Sequence, residues 1–157
     1  MTAYTDSLGF NKGSAAFAAA YTDRLATYET TLDFAKIAAA RSAAGAAALA
    51  ATDTLVIAVL PKGSLILGGS ATLVKAEGAA GTIDLGITGT AALFANDFDL
   101  NGTVGATAAA TPTATYLTAD TNVVMLINTN SIDTAKVKVS IAYIDMGANL
   151  GSIPNVT

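Results

Sequence analysis

Apolar and polar residues alternate with a strand-like period over most of the chain, and the clearest case lies near its end. In Ala135–Asp145, Val137, Val139, Ile141 and Tyr143 fall on one face, and Lys136, Lys138, Ser140 and Ala142 on the other. Further upstream, Thr54–Leu60 is a run of β-branched and apolar residues that reads as a buried strand, and Pro61-Lys62-Gly63 reads as a turn. Ser64–Leu67 resumes the strand, Gly68-Gly69 is expected to break it, and Ala71–Ala76 alternates again. Glu77-Gly78 with Gly81 turns the chain into a strand over Thr82–Ile87. Tyr116–Thr118 and Asn122–Ile127 follow, and Asn128-Thr129-Asn130-Ser131 predicts a hairpin joining the last two strands. Ala106–Thr115 is low in complexity, contains a Pro and reads as an exposed loop.

The pattern differs before Thr54. Phe34–Ala44 is an Ala-rich helix, with Asp33 as N-cap and Gly45 where a C-terminal cap belongs. Phe34, Ile37, Ala38 and Arg41 share one face of it. Met1–Thr31 is polar and carries scattered aromatics. Phe17, Tyr21, Arg24 and Tyr28 fall at helical spacing, and Ser14 can cap a helix over Ala15–Leu25. The segment reads equally well as an extended arm whose Tyr4, Phe10, Phe17, Tyr21 and Tyr28 fill pockets on a neighbour. The expected organisation is an N-terminal arm (1–31), one mainly β domain (32–146) and a C-terminal tail (147–157). The domain is expected to be a β-sandwich or a jelly-roll-like small barrel with a short helix.

Composition narrows the chemistry. The 157 residues suit one domain. Hydrophobic residues make up 52%, but much of that is Ala, so stability comes from many small contacts, each methyl adding only about 0.8 kcal/mol. The mean hydropathy of +0.52 raises the question of a membrane span. The most apolar stretch, Ala43–Leu60, is interrupted by Asp53 and bracketed by Arg41 and Lys62, which argues against one. Met1–Phe10 has neither the basic start nor the apolar stretch of a signal peptide. A net charge of −4 argues against nucleic acid as a partner, because phosphate binding wants a basic patch.

There is no His and no Cys, so the usual proton shuttle, thiolate nucleophile and soft metal ligand are all missing. Charged residues are 13%, against about 25% in an average protein. An enzyme is therefore not expected, and no cofactor is. Asp97-Phe98-Asp99-Leu100-Asn101-Gly102 matches the start of a calcium loop, in which Asp97, Asp99 and Asn101 would offer oxygens. The loop's twelfth position should be a bidentate Glu and is Ala108, so the competing reading is an amphipathic strand ending in an Asn-Gly turn. No phosphate-loop pattern accompanies the glycines. Asp33, Asp53, Asp84, Asp97 and Asp99 read as turn-capping, solvated carboxylates rather than a sugar-cleaving pair.

Several stretches resemble small virion proteins of tailed bacteriophages. These are Leu32–Arg41, Ala48–Asp53, the apolar strand into Leu60-Pro61-Lys62-Gly63, Thr82-Ile83-Asp84-Leu85-Gly86, and the Val137–Asp145 strand with its Tyr143. The likeness spans about Thr30 to Met146 and is one of pattern and composition. It implies a capsid decoration, or cement, protein with a sandwich or jelly-roll fold. Such a subunit would sit on the capsid outer surface as a homo-oligomer (dimer or trimer) and bind the major capsid protein of the same virion. The alternatives are another virion part, such as a tail or fibre subunit, or a carbohydrate-binding β module.

Overall fold

The computed structural model describes residues 25–110 and 114–146. Strand β1 (Leu25–Asp33) runs directly into helix α1 (Phe34–Ala43). There follow β2 (Thr54–Leu60), β3 (Ser64–Lys75), β4 (Thr82–Ile87), β5 (Thr90–Asp99), β6 (Thr107–Ala110), β7 (Thr115–Tyr116), β8 (Thr121–Thr129) and β9 (Lys136–Asp145). The antiparallel pairs are nested: β4 with β5, β3 with β6, β2 with β8 and β1 with β9. The chain doubles back about the β4–β5 turn as one long hairpin would. It then rolls up, so that β9 also pairs with β3 and β8 with β4. The first sheet has the order β1-β9-β3-β6, with β7 added beside β3, and the second has the order β2-β8-β4-β5. This is the jelly-roll arrangement, an open two-sheet sandwich rather than a closed barrel.

The core lies between the sheets and follows the alternation. Val137, Val139 and Ile141 of β9 are fully buried and face Phe94, Met125 and Ile127 of the second sheet's core, each side chain contributing about 1.5–3 kcal/mol. Lys136 and Lys138 lie on the opposite face and pair with Asp33 at 2.8 Å and Glu29 at 3.2 Å. The hydrogen bond from Lys136 holds the Asp33 carboxyl below its ordinary range.

Helix α1 forms as expected. The Asp33 side chain accepts the Lys36 N–H at 3.4 Å at its start. At its end, Gly45 N donates to Ser42 O and Ala46 N to Arg41 O, the two bonds of a Schellman motif. Phe34, Ile37, Ala38 and Arg41 are its more buried residues.

Four local expectations need correction. Gly68-Gly69 does not break the strand; β3 runs through it for 12 residues. A Cβ on Gly69 would stand 2.5 Å from Phe94 Cγ and 2.8 Å from Ile141 Cδ1, so the glycine makes room for the Phe94 ring in the core. The loop expected over Ala106–Thr115 contributes β6, because its small residues can close the free edge of β3. Strands β8 and β9 do not form a hairpin but lie in different sheets. Finally, Leu25 and Tyr28 belong to β1 and not to a helix. The remainder of the expected Ala15–Leu25 helix, and the 147–157 tail, lie outside the described residues.

The crossing from β8 to β9 is fixed by Glu77, a nearly buried carboxylate. Its Oε1 accepts the Asp133 N–H at 2.8 Å, and its Oε2 accepts those of Thr134 at 3.0 Å and Ala135 at 2.7 Å. The Thr134 hydroxyl donates back to the Glu77 carbonyl. Burial alone would raise the Glu77 pKa, but the three backbone donors outweigh it and hold the carboxyl below its ordinary 4.5.

Glu77→Ala leaves those donors without partners and should cost about 3–5 kcal/mol in a denaturant titration at pH 7. Because the folded-state pKa is depressed, this stabilisation is full above about pH 4.5 and is lost as pH falls through the folded value. The stability gap between the native chain and Glu77→Gln should therefore narrow below pH 4.5; a gap that stays constant down to pH 3 would contradict the assignment. Gly69→Ala should cost about 1–3 kcal/mol by overpacking against Phe94.

Candidate assembly surface

The two outer faces of the sandwich differ chemically. On the first sheet, Lys136–Asp33 and Lys138–Glu29 are ion pairs, and the Ser140 hydroxyl donates to Glu29 Oε1 at 3.2 Å. Thr72 and Thr107 join hydroxyls at 2.9 Å. Beside them, Gly68, Ser70, Ala109, Ser140 and Ala142 line a shallow groove of about 220 Å³. This face carries two ion pairs.

The second sheet's outer face is apolar along β2. The β2–β8 ladder shifts register between Val56 and Ala58, a bulge at Ile57. That extra residue puts Val56 and Val59, three apart, on the same outward side, and each is 59% exposed. They stand opposite Val124 and Asn122 of β8. Leu60 at the strand's end is buried. The Ile57 carbonyl, at the bulge, accepts the Tyr28 hydroxyl at 3.0 Å. Tyr28 thereby joins the β1 edge of one sheet to the β2 edge of the other.

Toward the β4–β5 side the same face becomes polar. The Asn128 amide donates to Asp84 Oδ1 at 2.6 Å and to Asp97 Oδ1 at 2.9 Å. The Asp97 N–H donates to Asp84 Oδ1 at 2.7 Å. Asp97 adopts φ +48°, a left-handed conformation that Asp tolerates better than most residues.

The residues singled out in the sequence separate into three groups. Tyr4, Phe10, Phe17 and Tyr21 lie outside the described residues. Tyr28 is half-buried against its own core and hydrogen-bonded within the chain. In the calcium-like stretch, Asp97 engages Asn128, whereas Asp99 Oδ1 accepts the Asn101 N–H at 2.8 Å and caps its own turn. The two acids thus serve different hydrogen-bond systems. Among the described residues no three His, Cys, Asp or Glu side chains gather to hold a metal ion, and no helix is long and apolar enough to cross a membrane. The exposed valines of β2 were not recognisable in the sequence. An uncharged seven-residue run reads as a buried strand, and no local signal announces the bulge.

Exposed apolar side chains occur on both sheets, Val56 and Val59 on the second and Leu25, Leu67, Val74 and Tyr116 on the first, where the two ion pairs also lie. Three solved structures share the fold. A chain of the capsid asymmetric unit of cyanophage Pam1 is 18% identical, with a TM-score of 0.54 over 76% of this chain and 84% of that one. A chain of the acid-stable capsid of Helicobacter pylori bacteriophage KHP30 is 12% identical, with a TM-score of 0.55 over 77% and 87%. A chain of the capsid of Ralstonia phage GP4 is 13% identical, with a TM-score of 0.51 over 77% and 84%. At these identities the likeness is one of fold. No protein-family model and no curated protein matches the sequence.

Asn128→Asp would set a third carboxylate against Asp84 and Asp97 and should destabilise the fold by about 1–3 kcal/mol at pH 7, read by thermal or denaturant unfolding. The same melts on the native chain, with calcium and with chelator, should coincide. A rise in melting temperature with calcium would show that Asp97, Asp99 and Asn101 do form a site.

Proposed function

We propose that this chain is a non-enzymatic virion structural protein that binds the outer surface of a phage capsid and stabilises the shell as a decoration, or cement, subunit. The observation that carries the reading is the jelly roll that it has in common with chains of three phage capsids over 84–87% of their length. The surface chemistry supports it. A strip with exposed valines and few charges suits contact with a protein lattice, and repeated weak contacts on one lattice add up through multivalency. The partners in this reading are the major capsid protein of the same virion and further copies of the chain, as a dimer or trimer. The segment before β1 acts as an arm, with Tyr4, Phe10, Phe17 and Tyr21 as aromatic anchors of the kind that dominate interface energetics, whereas Tyr28 stays within the sandwich. The work asked of the subunit is contact, which needs neither a cofactor nor a catalytic group.

The test is to add the purified chain to shells assembled without it. Saturable co-sedimentation in fixed proportion to the shell protein, with a higher shell disruption temperature, is expected. Binding to tail or fibre fractions and not to shells would make it another virion part. Selective binding on a glycan array would make it a carbohydrate-binding module. For the arm, Phe10→Ala with Phe17→Ala should weaken shell binding by about tenfold or more while leaving the melting temperature of the free chain in place. Unchanged shell binding would remove the arm from the interface.

A further inference from the structure

We propose that Asn101-Gly102 is a self-modification site, at which the chain converts Asn101 to aspartate and isoaspartate without an enzyme. In the first step the Gly102 backbone nitrogen attacks the carbonyl carbon of the Asn101 side chain. The new C–N bond closes a cyclic imide, and the side-chain nitrogen leaves as ammonia, taking the Gly102 N–H proton. Water then opens the imide. Opening at the carbonyl that came from the side chain gives aspartate. Opening at the carbonyl that came from the main chain gives isoaspartate, in which the backbone runs through the former side chain. One water is consumed and one ammonia released, with no oxidation or reduction.

The turn after β5 fits these residues to the step. Asn101 is exposed there, and its own N–H donates to Asp99 Oδ1 at 2.8 Å, which ties the main chain ahead of the reacting pair and not within it. Among the described residues neither the Asn101 side-chain amide nor the Gly102 N–H is engaged in a hydrogen bond. Gly102 has no Cβ to stand between its nitrogen and the carbonyl, and the two groups are held together by the chain itself. The other described asparagines lack this combination. The side-chain amides of Asn96, Asn128 and Asn130 donate to Asp97, to Asp84 and Asp97, and to the Ala80 carbonyl. Asn122 lies in β8 before the buried, β-branched Val123. The conversion bears on the corner at Glu77. Leu100, the residue before Asn101, is fully buried; its N–H donates to Gly81 O and its carbonyl accepts from Glu77 N, both at 2.9 Å. Beyond the turn, Gly105 N donates to Leu73 O at 2.7 Å. Isoaspartate inserts a main-chain carbon between these anchors and sets a new carboxylate near Asp99, so the change loosens the corner with time. The argument rests on this turn and does not require the virion reading.

The test is site-resolved peptide mapping by mass spectrometry on the full chain, held warm at mildly alkaline pH and sampled over time. Asn101 is expected to gain the mass difference between an amide and an acid, and to resolve into aspartate and isoaspartate forms, well before Asn96, Asn122, Asn128 or Asn130 changes. Gly102→Ala is tolerated by the fold, because its Cβ comes no nearer than 3.4 Å, to Asp99 O, and it should slow the conversion several-fold. The melting temperature of the aged native chain should fall as isoaspartate accumulates, while that of equally aged Gly102→Ala stays in place. An Asn101 that reacts no sooner than the other four asparagines overturns the proposal, as does a Gly102→Ala chain that converts at the native rate. Complete conversion with no fall in melting temperature overturns the link to the corner.

Discussion

The jelly roll depends on carrying the chain repeatedly from one sheet to the other, and Glu77 is where two of those crossings are tied together. It sits in the connection from β3 to β4, which leaves the first sheet for the second, and its carboxylate accepts the N–H groups of the connection from β8 to β9, which returns. Backbone donors on a short crossing segment have no ladder to join and cannot be left bare when buried. One carboxylate with two oxygens satisfies three of them. Around it, Glu77 N donates to Leu100 O, Leu100 N to Gly81 O, and the Asn130 amide to Ala80 O. Ile132 and Leu100 fill the corner beneath. The position of β9 follows from that corner, and β9 is the strand on which both β1 and β3 are registered.

This explains which parts of the fold were legible in the sequence. Local structure was: β4 occupies Thr82–Ile87, the β9 alternation divides core from solvent as expected, and Asp33 and Gly45 bound the helix. Each of these is decided within a few residues by period, propensity or capping. Partnership was not. Asp33 pairs with Lys136, more than a hundred positions away, and nothing near either residue specifies that register. The expected β8–β9 hairpin failed for the same reason. Asn128–Ser131 has ordinary turn chemistry, but the segment to Ala135 is taken up in burying Ile132 and meeting Glu77, which carries β9 across to the other sheet. Gly68-Gly69 shows the converse. A residue read locally as a strand breaker is required by a ring from the opposite sheet.

The candidate surface was less legible than the fold. Sequence reasoning favours aromatics and acids, so it pointed to Tyr28, Asp97 and Asp99. Yet Tyr28 is committed to closing the sandwich through Ile57, and Asp97 is held by Asn128. The exposed valines of β2 look, in the sequence, like core. A buried strand and an exposed apolar edge have the same composition, and only pairing on one side and the bulge at Ile57 distinguish them.

The same logic links composition to assembly. A chain with few large side chains and 13% charged residues makes a thin core and a surface with little charge to keep copies or partners away. On the first sheet four charges pair with each other, Lys136 with Asp33 and Lys138 with Glu29. On the second sheet the Tyr28 hydroxyl reaches the β2 edge at Ile57 and leaves Val56 and Val59 exposed. A protein whose task is to be covered, by a lattice or by its own copy, gains contact area there without adding to its core.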